Sequence, residues 1–235
     1  MPEHAALISA AANAAPVYLL SAEDWRSEPE LPVGLLALAK AQKFEGGSGQ
    51  MVISAADDGT VSGVLFGVGA GSDTLAVAAL SAKLPAGDYS IAAAATYTPA
   101  QIAAAWADGA YRFDKYLSDK ADPPRLVVGE GDEGEAAIRE ATAIYRLRDL
   151  VNTPAEDMGP PQIQGTISDL AERYGATVET VIGDALLEQN YPMVHAVGRA
   201  GPEAPRISEL TWGDPSHPQL AIVGKGVAFD TGGLN

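Results

Sequence analysis

The stretch TPAQIAAAWADGAYRFDKYL, residues 98–117, is typical of an α-helix with a well-marked start. Thr98 suits the N-cap, Pro99 suits the first helical position, and Gln101 stands three residues after the cap, so the three predict a capping box. Apolar side chains then recur close to the 3.6-residue helical period at Ile102, Trp106, Ala110, Phe113 and Leu117. The pattern predicts an amphipathic helix that packs on a core.

Short apolar runs precede and follow this helix and are bounded by Gly, Pro or Asp, as strands often are. Strands are predicted at residues 17–20, 51–54, 61–68, 89–94 and 125–128. Helices are predicted among them at residues 35–41 and 74–84, and the Asp-Asp-Gly of residues 57–59 predicts a hairpin turn. Strands alternating with helices indicate an α/β fold, a sheet covered by helices.

The acidic, glycine-rich run GEGDEG at residues 129–134 is the best candidate for a domain boundary. We therefore predict an N-terminal α/β domain at residues 1–130, a connecting helix at residues 131–149, and a second α/β domain that begins at residue 150 and occupies residues 150–235. In the second domain the pattern predicts a helix from Pro161 to a cap at Gly175, and strands at residues 177–182, 193–197, 206–212 and 219–223.

Composition limits the classes of partner. The chain has 15 Lys and Arg against 31 Asp and Glu, a formal charge of −16, which disfavours nucleic acid and anionic membranes as partners. It has no cysteine, so any metal must be bound by oxygen and nitrogen ligands. Neither a secretory signal nor an apolar run of membrane-spanning length is visible, so a cytoplasmic location is the expectation.

The segment AIVGKGVAFDTGGLN, residues 221–235, has the most informative chemistry. A strand-like run leads to Lys225 between two glycines, and Asp230 follows five residues later. A phosphate-binding loop would need Ser or Thr directly after the lysine, and Gly226 stands there instead. On spacing alone, the simpler interpretation is a surface lysine and a turn aspartate that follow a buried strand.

Four segments, in order along the chain, resemble the leucyl (cytosol) aminopeptidase family. The most specific is VGKGVAFDTGG at residues 223–233, which is similar to the family's metal-binding signature. The others are GAYRFDKY at residues 109–116, RDLVNTPAEDMGP at residues 148–160, and AVGRAGPEAPRISELTW at residues 196–212. The resemblance implies an N-terminal macro-domain-like α/β domain followed by the start of an α/β aminopeptidase catalytic domain.

The resemblance also implies an activity and a site. The family's enzymes are metalloaminopeptidases, hydrolases that release N-terminal amino acids such as leucine with a water activated by two divalent ions, manganese or zinc. Lys225 and Asp230 match two of the metal ligands. The remaining ligands and the catalytic residues are expected downstream of Asn235, so no catalytic residue is expected within this chain and residues 1–235 alone are expected to be inactive. Peptide substrates and a homo-oligomer, a hexamer in the family, are implied as partners.

Two other functions remain open from the sequence. The chain could be a non-catalytic oligomerisation or interaction module left by truncation, which an authentic stop at residue 235 would favour. A similarity of the N-terminal domain to macro domains suggests a nucleotide-like ligand by analogy of fold alone. The run GVGAG at residues 67–71 lacks the third spaced glycine of a dinucleotide fingerprint, so no cofactor is expected there.

Overall fold

The computed structural model describes residues 6–226 and residue 228 of the chain. Contacts between residues divide the chain into two compact units, Met1–Asp149 and Leu150–Asn235. Both units combine helices with a sheet, and the sheet of the first is mostly parallel, so the predicted α/β fold class is confirmed. Among the described residues, no helix is long and apolar enough to cross a membrane.

The first unit is built on a six-stranded sheet. Its strands are β1 (Leu7–Ile8), β2 (Ala15–Leu20), β3 (Met51–Ala55), β4 (Val61–Gly67), β5 (Gly87–Ala94) and β6 (Pro124–Val127). They lie in the order β1-β6-β5-β2-β4-β3, and every neighbouring pair is parallel except β3 with β4. The β3–β4 pair is joined by the predicted hairpin turn, where the amide N–H of Thr60 donates to Asp58 Oδ1 at 2.9 Å.

Helices cover both faces of this sheet because side chains of a strand alternate between its faces. They are α1 (Ala22–Arg26), α2 (Val33–Ala41), α3 (Leu75–Ser81), α4 (Pro99–Ala110) and α5 (Asp132–Asn152). Val64 and Phe66 of β4 belong to the core cluster that includes residues of α3, α4 and α5. Leu65, between them, belongs to a second cluster with α2. The sheet is therefore the middle layer of three.

Helix α4 confirms the predicted capping box. The N–H of Gln101 donates to Thr98 Oγ1 at 3.2 Å, and the N–H of Thr98 donates to Gln101 Oε1 at 2.9 Å. The predicted length was wrong, because the helix ends at Ala110 and leaves out Phe113 and Leu117. Tyr111 takes an extended conformation, and its hydroxyl donates to Asp149 of α5 at 2.8 Å, so the chain leaves the helix there.

Helices α3 and α4 approach each other closely at Gly109. A Cβ at this position would lie 1.9 Å from the carbonyl oxygen of Ala78, so only glycine fits. Beside this contact, the buried hydroxyl of Ser81 donates to the carbonyl oxygen of Trp106 at 2.9 Å. The close packing places the Trp106 ring in the core, where its exposed fraction is 0%.

The second unit is smaller and has a two-stranded antiparallel sheet. Its elements are a single 3-10 turn (Ala155–Asp157), α6 (Pro160–Tyr174), β7 (Thr177–Ile182), α7 (Ala185–Glu188), α8 (Pro192–Gly198) and β8 (Arg206–Thr211). Strand β7 pairs with β8 from Thr177 opposite Thr211 to Ile182 opposite Arg206. Helix α6 ends at Gly175 in the left-handed conformation, as predicted.

Two strand predictions in this unit were wrong. Residues 193–197 form α8, because Pro192 favours the first position of a helix and the run is too short for its composition to decide between helix and strand. Residues 219–223 have strand-like composition but form no strand, since a strand requires a partner and no described segment pairs with them.

Candidate metal centre

Lys225 lies in a segment without regular secondary structure that follows β8. A turn precedes this segment, in which the N–H of His217 donates to the carbonyl oxygen of Asp214 at 3.1 Å and the N–H of Ser216 donates to the Asp214 carboxylate at 2.8 Å. Hydrogen bonds from Ser216 to the carboxylate, that from its backbone N–H first and then that from its side chain, hold the pKa of Asp214 below its usual value. Asp214 therefore stabilises the turn that precedes the segment with Lys225.

The Lys225 side chain is exposed, and no described carboxylate forms an ion pair with it. A Cβ on Gly224 would meet no atom of the described structure within 4 Å. A Cβ on Gly226 would lie 3.9 Å from Cδ1 of Ile163 on α6. Contacts within the described chain therefore do not require glycine on either side of Lys225, and neither glycine has a positive φ.

Asp230, the second predicted ligand, lies outside the described residues. Within residues 6–226 and 228, no group of three or more acidic or His side chains could hold a metal ion. His195 instead lies 3.1 Å from Asp184, and His217 belongs to the turn already described. Lysine and aspartate supply nitrogen and oxygen donors, a set that suits a divalent ion such as manganese or zinc.

Helix α6 lies beside the segment with Lys225 and is fixed at both ends. Arg206 of β8 donates a hydrogen bond to the Gln164 side chain in the first turns of the helix. At the other end, Trp212 Nε1 donates to the carbonyl oxygen of Tyr174 at 3.0 Å. Ile163, whose Cδ1 lies 3.9 Å from the position that a Cβ on Gly226 would take, therefore belongs to an anchored helix. The sequence predicted Ile163 only as an apolar residue of α6 and gave no signal of this proximity.

The glycine-rich run at residues 67–71 is explained by packing. A Cβ on Gly67 would lie 2.1 Å from the carbonyl oxygen of Gly47, and the hydroxyl of Thr96 donates to the carbonyl oxygen of Gly71. The end of β4 thus packs directly on the backbone of the loop before β3, and the loop after β4 accepts a side-chain hydrogen bond from Thr96, which follows β5. The glycines allow this close approach, and no ligand is needed to account for them.

Comparison with known families decides the identity of the chain. The family model described as "M17 aminopeptidase, N-terminal domain" matches residues 33–129. The model described as "Cytosol aminopeptidase family, catalytic domain" matches residues 145–235. The chain belongs to the cytosol aminopeptidase family. The resemblance stated from the sequence is therefore confirmed, and the family is one of peptidases.

Relatives of this chain also carry the family's name. Probable cytosol aminopeptidases from Nocardia farcinica and Methylorubrum populi are 35% identical over 141 residues and 32% identical over 138 residues. These alignments cover 54% and 53% of this chain and 28% of each relative. The matched part of the chain is thus well under a third of the length of these relatives.

Solved structures match over more of the chain. Cytosol aminopeptidase from Coxiella burnetii superposes with a TM-score of 0.73 at 26% identity, covering 91% of this chain and 47% of that one. The bottromycin maturation enzyme BotP in complex with Mn superposes with a TM-score of 0.62 at 25% identity, covering 87% and 46%. The chain therefore spans about half the length of these two solved relatives.

Proposed function

We propose that this chain forms part of a metal-dependent aminopeptidase that releases N-terminal amino acids, leucine-like ones among them, from peptides. The observation that supports the proposal most is the position of Lys225. It is exposed between two glycines, five residues before Asp230, in the segment matched by the catalytic-domain model. Neither a cysteine nor a serine in a Gly-x-Ser-x-Gly elbow offers a competing nucleophile.

The proposed site uses Lys225 and Asp230 as ligands of two divalent ions, manganese or zinc. A lysine ligand must bind as the neutral amine, a form that the charge of a nearby divalent cation favours. The Asp230 carboxylate supplies negative charge and can bridge two ions. Such a pair of metals supplies an activated water and a polarised peptide carbonyl. The manganese in the BotP structure supports this choice of metal.

The remaining features of the proposal follow the family. We propose that peptides are the substrates, that the protein is cytoplasmic, and that it assembles into homo-oligomers, with a hexamer as the expected form. We also propose an N-terminal domain at residues 1–130, a connecting helix at residues 131–149 and a catalytic portion at residues 150–235. Helix α5 and the two compact units support this division.

The test is substitution of the two ligands in the natural protein that contains this sequence. Lys225→Ala and Asp230→Ala are each expected to abolish hydrolysis of leucine p-nitroanilide and to lower the bound metal measured by elemental analysis. Both changes remove little apolar burial, so unfolding in the presence of a chelator should hardly change. Lys83→Ala, which removes another exposed lysine, is the matched control and should keep both activity and metal. A Lys225 variant with normal turnover and metal content would reject the ligand assignment.

The isolated chain gives a second test. Lys225 and Asp230 are only two protein donors, and two donors compete poorly with water for two ions. Purified residues 1–235 with added manganese are therefore expected to show no turnover of leucine p-nitroanilide above the buffer rate. Metal-dependent turnover by this chain would mean that it supplies further ligands, and the proposed role of residues outside it would be wrong.

A further inference from the structure

Strand β3 (Met51–Ala55) forms one edge of the six-stranded sheet. Among residues 6–226 and 228 it pairs only with β4, so its other side has no partner strand. Strand β1 forms the opposite edge but is only two residues long. The register shift within the β3–β4 pair skips Ser62 of β4, so β3 itself is continuous over five residues. The edge at β3 is therefore the longer surface at which another strand can pair.

Alternate residues of β3 direct their backbone hydrogen-bonding groups away from the sheet. The N–H of Gly67 donates to the carbonyl oxygen of Gln50 at 2.8 Å, just before β3 begins. Since bonded positions alternate along an antiparallel pair, Val52 and Ser54 also direct their backbone groups at β4. The intervening residues present an N–H and a C=O at the edge, and in the described structure no hydrogen bond outside the sheet uses those groups: Met51, Ile53 and Ala55. These groups are therefore available to a partner strand.

The edge at β3 lacks the features that usually prevent strands of separate molecules from pairing. Charged side chains and prolines commonly protect an edge strand. Residues 46–56 contain neither, and the nearest charged residues along the chain are Glu45 and Asp57. The chain as a whole has a formal charge of −16, so two copies repel each other over most of their surfaces. An uncharged strip at a strand edge is a surface at which that repulsion is small.

We infer that β3 pairs with β3 of a second copy, antiparallel and about a two-fold axis at Ile53. In this arrangement Ile53 lies opposite Ile53 of the second copy, and Met51 of each copy lies opposite Ala55 of the other. Residues with outward backbone groups then face one another in every pair, as a self-complementary two-fold contact requires. The inference rests on the proposed homo-oligomer, for which it names one contact surface, and it joins the two six-stranded sheets into one.

The first experiment measures a distance across the proposed contact. Ala55 is exposed and this chain has no cysteine, so Ala55→Cys can carry a nitroxide label in the natural protein once any cysteines outside this chain are replaced. Paired about Ile53, the two labelled positions are about four residues apart along the strands, or about 14 Å. Double electron–electron resonance is expected to show a population shorter than about 25 Å, since the label linkers add to the backbone distance. An excess of unlabelled protein should abolish this population, because it arises between copies. An assembly whose labels are all further apart would overturn the inference.

The second experiment uses charge pairs across the two-fold axis. Met51→Lys/Ala55→Glu brings opposite charges face to face and should keep the assembled mass, measured by sedimentation velocity. Met51→Glu/Ala55→Glu and Met51→Lys/Ala55→Lys bring like charges together, and each should lower that mass at least about two-fold. The two like-charge variants change the net charge in opposite directions, so net charge cannot explain a loss in both. Met51 packs partly buried against the larger core cluster, and urea unfolding measures the stability cost that the three variants share.

The outcomes separate this inference from the proposals beside it. A natural protein that sediments as a monomer at every concentration rejects both the homo-oligomer and the β3 contact. An assembly of unchanged size in all three charge variants rejects the β3 contact and leaves the homo-oligomer in place. A loss as large in Met51→Lys/Ala55→Glu as in the like-charge variants rejects the pairing of Met51 with Ala55. Lys225→Ala should assemble normally, so a failure of the metal assignment is recognised separately.

Discussion

The two units differ sharply in how they bury apolar side chains. In the first, the sheet supports a large cluster on one face and a smaller one on the other. In the described part of the second, the buried residues are few: Thr153, Gly159, Ala171 and Leu186. Large apolar side chains that stay more than half exposed there include Val151, Tyr174, Met193, Val197, Trp212, Leu220, Ile222 and Val223. The first unit thus buries most of its large apolar side chains within itself. The proposed metal ligand belongs to the second unit, where many large apolar side chains of the described part are exposed.

The largest expected difference in unfolding free energy is between alanine substitutions of two tryptophans, one in each unit. Trp106 is fully buried, lies 5.6 Å from the Tyr89 ring and donates to the carbonyl oxygen of Pro124. Trp212 also donates to a carbonyl oxygen, that of Tyr174, but is 70% exposed. Trp106→Ala should therefore lower the unfolding free energy by about 4 kcal/mol, and Trp212→Ala by less than about 1 kcal/mol. Urea unfolding followed by circular dichroism measures both. Equal losses would contradict the contrast.

Two glycines in helices of the first unit allow the effect of tight packing on stability to be tested within that unit. Gly109→Ala places a methyl group 1.9 Å from the Ala78 carbonyl oxygen and should cost about 3 kcal/mol, because α3 and α4 must separate. Gly34 of α2 has no atom within 4 Å of its Cβ position. Gly34→Ala is therefore the control, with a change within about 1 kcal/mol. A Gly109 variant that unfolds at the wild-type urea concentration would show that the helices are not tightly packed.

The smallest expected effect is a loss of stability at alkaline pH, which comes from buried tyrosines in the core of the first unit. Burial raises the pKa of Tyr89 to about 12 and also raises the pKa of Tyr145. The folded state therefore holds these phenol protons more tightly than the unfolded chain, so this stabilisation is complete below about pH 10 and is lost as pH rises through 12. The urea midpoint should fall over this range, and less steeply in Tyr89→Phe, which cannot ionise. The same slope in both proteins would mean that Tyr89 ionises equally in the folded and unfolded states.

Much of the first unit was predictable because its signals are local. The capping box at Thr98 and the apolar runs of β2 to β6 are visible within a few residues of sequence. The two-residue strand β1 was missed, since it has no periodicity and exists only by pairing with β6. The fit of Gly109 against Ala78 was equally invisible, because it depends on a helix elsewhere in the chain.

In the second unit, the motif gives a more specific prediction of a site than the apolar pattern gives of the surrounding elements. Lys225 was recognisable from the motif that surrounds it, and the catalytic-domain model matches the same segment. Composition alone misassigned residues 219–223, because whether an apolar run becomes a strand depends on a partner. The proximity of Ile163 to the Cβ position of Gly226 had no sequence signal, since apolar periodicity identifies the apolar face of a helix and not the segment that lies near it.

The pairing of β1 with β6 has a consequence for the order of events during synthesis. Leu7, near the start of the chain, aligns with Leu126 in the last strand of the first unit. During translation β1 therefore has no partner strand until β6 has left the ribosome. Contacts between residues this distant in sequence form slowly. Neither β7 nor β8, the strands of the second unit among the described residues, takes part in this sheet. The first unit can thus close before Lys225 has left the ribosome, so the part of the chain with the proposed metal ligand is synthesised after the sheet of the first unit can be complete.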